Sequence, residues 1–245
     1  MRIATWNLES VRKLSPKREA AFLQSMAEVD ADVWVLTETW VIYGPGAPYR
    51  LAAQSGQAND LMGRPDRCWV SIWVRSNLVT RTMEVWGQQD RMACGRIEMR
   101  QKQDVVVVGT VLPWAADKLW PGADGFCAVL EVQMAQWASL RGAPGACTFI
   151  AAGDFNQSLP HQRWYGSKKG EIALNNALKK HDLLCLTTGN VALANRPRID
   201  HICAGRSALQ SSFATQVNDW PIPTVNEKPI TDHFGVFVDL DLLER

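Results

Sequence analysis

Apolar residues along the chain fall into two patterns. Short β-branched and aromatic runs read as strands, and longer stretches with apolar residues three and four apart read as amphipathic helices. Arg2 to Trp6 reads as a strand, with Asn7 at its C-terminal end. Ser15 then stands where a helix N-cap belongs and Pro16 in the first helical position. Phe22, Leu23, Met26 and Ala27 carry the helical spacing to about Val29. Val33-Trp34-Val35-Leu36 is a second strand and runs directly into Thr37-Glu38-Thr39. From Val41 to Gly63 the chain is rich in Gly, Pro, Ala and Gln, and loop with little regular structure is expected. Strands are expected over Cys68 to Val74, Leu78 to Val85, Gly95 to Met99 and Val105 to Val108. Phe126, Val129, Leu130, Met134, Trp137 and Leu140 mark a helix that stops before Gly142 and Pro144. Thr148 to Ala152 reads as a buried strand ending in Gly153-Asp154-Phe155-Asn156. A helix from about Glu171 to Lys180, a strand Leu183 to Leu186, an alternating strand Arg198 to Cys203 and a last strand Phe234 to Leu240 follow. Successive strands without a helix between them argue against a wholly parallel sheet. The economical expectation is a single α/β domain over residues 1–245, with two packed sheets and helices outside.

Polar residues recur where these apolar runs end. Asn7, Glu38, Asp154, Asn156, Asp200, Asp232 and His233 all lie within or at the end of a strand-like run. Strand ends are where open α/β folds gather their functional groups. Asp154 and Asn156 are two apart, so in an extended chain they share a face. Glu38 has the poorest structural alternative, since a buried strand that ends in a carboxylate needs a cation or water opposite it. Carboxylate and carboxamide oxygens suit a hard ion such as Mg²⁺ or Mn²⁺ rather than zinc. A hard ion, a general base and a histidine together point to hydrolysis of a phosphate ester.

Bulk properties narrow the setting. Hydrophobic residues make up 47% and charged residues 21%, and the net charge of +1 gives no global attraction to nucleic acid. No apolar run approaches the ~18 residues of a membrane span. The first residues enter a strand pattern at once without the layout of a secretory leader. Six cysteines without a CxxC pair suit a reducing compartment. The cytoplasm is the expected location, with no obligate protein partner evident.

Five short motifs in order carry a resemblance. They are Thr5-Trp6-Asn7, Leu36-Thr37-Glu38-Thr39, Gly153-Asp154-Phe155-Asn156, Arg198-Ile199-Asp200-His201 and Thr231-Asp232-His233. With them the chain resembles the endonuclease/exonuclease/phosphatase superfamily over nearly its whole length. The resemblance implies a four-layer sandwich of two packed mixed β-sheets flanked by helices, and Mg²⁺-dependent cleavage of a phosphodiester or phosphomonoester. It also implies roles. Glu38 would be the principal metal ligand with Asn7 beside it, and Asp232 would lie near a metal. Asp154 would orient or deprotonate the attacking water, and Asn156 would donate to that nucleophile or the phosphate. His233 would contact phosphate oxygens, steadied by Asp200.

One departure matters. Many members of that family carry a histidine or tyrosine at the strand end where this chain has Val111, which has no proton to give. His161 and Tyr165, in the loop after Asp154, are the candidates to replace it. Other polar positions have structural readings: Asn7 as a helix or turn cap, Asp232 as a turn residue, and His201, which faces away from Asp200 on a strand, as packing or surface. Of the eleven tryptophans, Trp6, Trp34, Trp73 and Trp137 read as core. Trp40, Trp114, Trp120, Trp164 and Trp220 fall near loops, where they would either stack on bases or cap the core. Lys168-Lys169 and Lys179-Lys180 form either a phosphate-tracking patch or a solvated face. Nucleic acid is the first substrate expected. The alternatives are a small phosphorylated metabolite, a lipid headgroup, or a catalytically weakened binding protein on the same scaffold.

Overall fold

The computed structural model describes residues 1–9, 15–40, 43–56, 67–87, 89–142, 145, 147–159, 164–191, 196–206 and 216–242. In chain order the elements are β1 (Arg2–Asn7), α1 (Pro16–Val29), β2 (Val33–Trp40), β3 (Tyr49–Gln54), β4 (Arg67–Arg75), β5 (Val79–Thr82), β6 (Met92–Glu98) and β7 (Asp104–Val111). Next come α2 (Gly122–Arg141), β8 (Cys147–Asp154), α3 (Lys168–Lys180), β9 (Leu183–Cys185), β10 (Asn190–Val191) and β11 (Arg196–Pro197). The series ends with β12 (Asp200–Gly205), β13 (Gln216–Trp220), β14 (Thr224–Val225), β15 (Lys228–Pro229) and β16 (Gly235–Asp239).

Two six-stranded sheets form, in the orders β13-β16-β1-β2-β4-β3 and β5-β6-β7-β8-β12-β9. Each is mixed. β1 and β2 run parallel, as do β7 and β8, and the remaining pairs within the two sheets are antiparallel. The period of two along each strand sorts the side chains into layers. Ile3, Val33, Val35, Ile150, Ala152 and Ile202 belong to the core between the sheets. Ala4, Trp6, Trp34 and Leu36, one residue out of phase, pack against α1 through Phe22 and Met26. Val106, Val108, Phe149, Ala151 and Cys203 pack against α2 and α3 through Phe126, Trp137 and Leu174. The layers are helix, sheet, sheet, helix, which is the sandwich expected.

Two of the three helix starts are marked by a serine cap. Ser15 caps α1 by accepting from the Arg18 N–H at 3.4 Å, with Pro16 opening the helix. Ser167 caps α3 by accepting from Gly170 N at 2.9 Å. No helix among the described residues is long and apolar enough to cross a membrane.

Two expectations are corrected and one strand was not expected. β3 lies inside the stretch from Val41 to Gly63 that was expected to be loop; three half-buried residues precede two buried alanines, so no alternation marks it as a strand. The strand expected over Leu78 to Val85 is shorter, because β5 is a largely exposed edge strand that pairs only with β6. β13 is a further edge strand, of sequence QVNDW, too polar for its pattern to stand out.

Candidate active site

Strand parity builds the site. Asn7 continues the phase of Ile3 and Thr5, Asp154 that of Ile150 and Ala152, and Asp200 that of Ile202 and Ala204. All three therefore emerge on the face between the sheets, at one end of the sandwich, where apolar packing gives way to polar groups. Asp154 and Asp200 are direct partners in the β8–β12 ladder. Asn7 Nδ2 donates to Asp154 Oδ2 at 2.9 Å and to Glu38 Oε1 at 3.1 Å. One carboxamide thus ties a carboxylate of the first sheet to a carboxylate of the second.

Backbone conformation aims the two motifs that flank this contact. Glu38 has a positive φ of 48° within β2, where Thr37 pairs with Val70 and Thr39 with Cys68 on either side. That conformation is uncommon for a side-chain-bearing residue other than Asn or Asp, and persists only where the surroundings enforce it. Glu38 Oε2 lies 3.8 Å from the Arg67 guanidinium. Gly153 has φ +142°, and a Cβ there would meet Thr110 O at 1.9 Å. Only glycine fits the residue before Asp154. Asn156, with φ 49°, closes a tight turn in which its own N–H donates to Asp154 Oδ1 at 2.8 Å. Its Nδ2 is turned away, onto Leu112 O at 2.9 Å. Asn156 therefore braces Asp154 through its backbone, while one N–H of its side-chain amide is used on Leu112.

The last motif is bolted to the first. Thr231 Oγ1 donates to Asn7 O at 2.9 Å and accepts from His233 N at 3.2 Å, while Trp6 Nε1 donates to His233 O at 3.0 Å. His233 Nδ1 then donates to Asp200 Oδ2 at 2.6 Å. Asp154, Asp200 and His233 offer ligand atoms that lie within 4.8 Å of one another. Asp232 stands apart from this group. Its side chain is 70% exposed and its Oδ1 lies 3.6 Å from His233 Nε2.

The electrostatics follow from burial. Asp154 is pushed up to about 7, first by desolvation and then by the charge of Asp200, with His233 opposing and Glu38 adding to the rise. For His233, desolvation works against the charged ring, but the charge and hydrogen bond of Asp200 outweigh it and raise the imidazole to about 10. His233 is thus an imidazolium whose Nδ1–H is committed to Asp200 and whose Nε2–H points outward. The buried Asp200 Oδ1 has no hydrogen-bond partner among the described residues. An oxygen-rich donor set with an unmatched buried carboxylate oxygen fits a hard divalent cation.

Other candidates fall into place. His201 is fully buried, with Nε2 against Gln157 O at 3.0 Å and Nδ1 against Thr187 Oγ1 at 3.3 Å, so it is a packing residue. Val111 is in register with Asp154 and fully buried, an apolar wall beside the carboxylate. His161 lies outside the described residues. Tyr165 lines a cavity with Asp200 and His233. Its phenol is pushed up by burial and by the charges of Asp154, Asp232 and Glu38, and so stays protonated at neutral pH. Trp6, Trp34 and Trp137 are core, whereas Trp73 is half-buried. Trp40 and Trp220 are buried and cannot stack on a base, while Trp164 is 49% exposed. Lys168 pairs with Glu171 and Lys169 with Asp124.

Glu9 escaped the sequence reading. Its N–H donates to Asn7 Oδ1 at 2.7 Å, and its carboxyl is pushed up by burial and by Asp232 and Glu38, which puts it at the mouth of the site. Its spacing of two from Asn7 was the available signal, but Glu9 sits beyond the strand with φ 50°, where parity no longer holds. Arg67 was missed, and Arg198, quoted only as part of a motif, was given no role, because each is defined by a partner distant in sequence.

The sequence model of the Endonuclease/Exonuclease/phosphatase family matches residues 4–233. No curated protein matches the chain. Among solved structures, an AP endonuclease from Archaeoglobus fulgidus is similar at 16% identity and TM-score 0.67, covering 99% of this chain and 100% of that one. A 3'-5' exonuclease (NExo) from Neisseria meningitidis is similar at 15% identity and TM-score 0.64, covering 98% and 100%. D. rerio TDP2 complexed with a single-strand DNA product is similar at 14% identity and TM-score 0.63, covering 97% of each chain. Identities this low speak for the fold alone.

Proposed function

The chain belongs to the endonuclease/exonuclease/phosphatase family, and from that premise we propose that it is a Mg²⁺- or Mn²⁺-dependent phosphodiesterase acting on nucleic acid. Fold and family support a hydrolase of phosphoester bonds. The observation that carries the finer reading is the convergence of Asn7, Glu38, Asp154 and the Asp200–His233 pair at one end of the sandwich. Glu38, with Asn7 beside it, is the assigned metal-holding pair, and the unmatched oxygen of Asp200, grouped with Asp154 and His233, adds negative charge to the site. A divalent ion bound there supplies charge neutralisation for the phosphoryl oxygens.

The chain's own groups divide the remaining work. Asp154, with a pKa of about 7, is matched to accept a proton from water near neutral pH. Asn7 and the Asn156 N–H fix its two oxygens, so the base is held rather than searching. Asn156 and Asp200 are positioning residues in this scheme. The His233 imidazolium directs Nε2–H towards a phosphate oxygen as negative charge develops, and Asp200 keeps the ring charged and oriented. Val111 supplies no proton to the leaving oxygen. Tyr165, protonated and lining the same cavity, is the described residue assigned that task.

A second reading, a binding protein on a weakened scaffold, is favoured by Val111 alone. One experiment separates the two. Wild type, Glu38→Gln, Asp154→Asn, His233→Ala and Tyr165→Phe are assayed with Mg²⁺ on DNA, RNA and a bis-aryl phosphate. Loss of at least about a hundredfold in the first three variants supports the assignment. Tyr165→Phe should slow the nucleic acid more than the aryl ester, whose leaving group needs no proton. Turnover that persists in Asp154→Asn and His233→Ala would reject the site. Nucleic-acid binding without turnover in wild type would favour the binding protein.

A further inference from the structure

Beside His233 lies a cavity of about 150 Å³, lined by Asp200, His233, Tyr165, Trp164, Arg196 and Phe234 among others. It is too small for a drug-sized ligand, which needs roughly 300 Å³ or more. Its outer wall is a layered contact. The Arg196 guanidinium lies 4.7 Å from the Trp164 ring centroid and 4.9 Å from that of Phe234. Arg196 Nη2 also donates to Asp232 O at 3.1 Å. Two aromatic faces and one carbonyl therefore fix the plane of this cation.

Two residues on, Arg198 is used differently. It grips Asp219 with Nε and Nη2 at 2.7 and 2.5 Å, and the two side chains are 9% and 2% exposed. That pair is internal and neutral. Among the described residues no carboxylate lies within ion-pairing distance of Arg196. The acidic groups around the cavity already face other partners: Asp200 faces His233, Asp219 faces Arg198, and Asp232 lies 3.6 Å from His233 Nε2. Arg196 is thus oriented like a bound guanidinium while its remaining N–H groups have no acidic partner among the described residues.

We propose that Arg196, clamped between Trp164 and Phe234, is a subsite for the phosphate adjacent to the scissile one in a polynucleotide. A guanidinium fork matches the tetrahedral oxygens of phosphate, and pre-orientation by the rings lowers the cost of engaging it. The inference rests on the phosphodiesterase reading and sharpens it. A substrate with one phosphate has nothing to place against Arg196, whereas a polynucleotide always has. The wall then selects polymer over small ester.

The test measures binding as well as turnover. Anisotropy of a labelled single-stranded oligodeoxynucleotide is followed as a function of salt for wild type, Arg196→Gln and Arg196→Lys, with the thermal midpoint as the folding control. Arg196→Gln should weaken binding about tenfold. It should also lower the slope of log K against log salt by roughly 0.7, the value of one single-strand phosphate contact. Arg196→Lys should restore the slope and only part of the affinity. The ratio of kcat/KM on the oligonucleotide to that on a bis-aryl phosphate should fall about tenfold in Arg196→Gln. An unchanged salt slope and affinity would overturn the proposal, as would equal losses on both esters. Arg196-dependent binding without any hydrolysis would keep the subsite and reject the catalytic reading. Failure of wild type to bind or cleave the oligonucleotide would reject both.

Discussion

Asp154 sits 1% exposed at the junction of the sheets, near Asp200 and Glu38, and this crowding sets its behaviour with pH. Folding favours its protonated form, because the pKa of about 7 exceeds the unfolded value near ~4. Its contribution to stability is fully present below that unfolded value and is lost as pH rises through about 7. In metal-free protein the thermal midpoint of Asp154→Asn relative to wild type should therefore climb from pH 4 to pH 8, whatever its offset. A difference that stays flat over that range would show that Asp154 titrates as an ordinary carboxyl. At this scale the sequence was legible wherever strand parity rules. Asn7, Asp154 and Asp200 are readable because each extends an alternating apolar run, and His201 because it is out of phase with its neighbour. For Asn156 the shared-face argument does not apply, because a positive φ of 49° ends the extended geometry on which it depended. Arg196 carried no signal at all, since its meaning comes from Trp164 and Phe234, more than thirty residues away on either side.

Between residue and fold, β8 shows how an element commits the site. Its apolar run packs on both faces, and its final residues bring Gly153 against the Thr110 carbonyl of β7, leaving no room for a side chain. Gly153→Ala combines a backbone clash with an unfavourable φ, so destabilisation beyond about 2 kcal/mol is expected, measured by denaturant unfolding. Turnover should fall in parallel through displacement of Asp154. An alanine variant of wild-type stability would mean that β7 and β8 separate more easily than their ladder suggests. Helices were the most legible elements because Ser15, Pro16 and the apolar spacing all speak locally. Two edge strands, β3 and β13, were the least: neither shows an alternating apolar pattern, and pairing with β4 and β16 places them instead, whereas β5 was expected but over too long a range.

Across the whole molecule the site is a seam. Asn7 and Glu38 belong to one sheet, Asp154 and Asp200 to the other, and His233 precedes the strand β16 that flanks β1. A cation held by Glu38 and Asn7 would bind only the folded chain, which brings these residues together, and would thereby stabilise the fold. At a hundred times its Kd, Mg²⁺ contributes about 2.7 kcal/mol, which for a chain of this size raises Tm by roughly 5–10 °C. The rise should vanish with chelator and in Glu38→Gln. A midpoint indifferent to Mg²⁺ would argue that no ion settles at the seam. The architecture was legible in outline from the mixture of strand runs and helices, while the pairing of β1 with β16 was not, because nothing local to either strand names the other. That pairing also sets an order in time. During synthesis the first strand emerges with one flank unmatched, and its second neighbour arrives only after residue 239 has left the ribosome. His233 travels with that late strand. A nascent chain therefore carries Asn7 and Glu38 before the imidazolium, and the centre is assembled only when β16 docks beside β1.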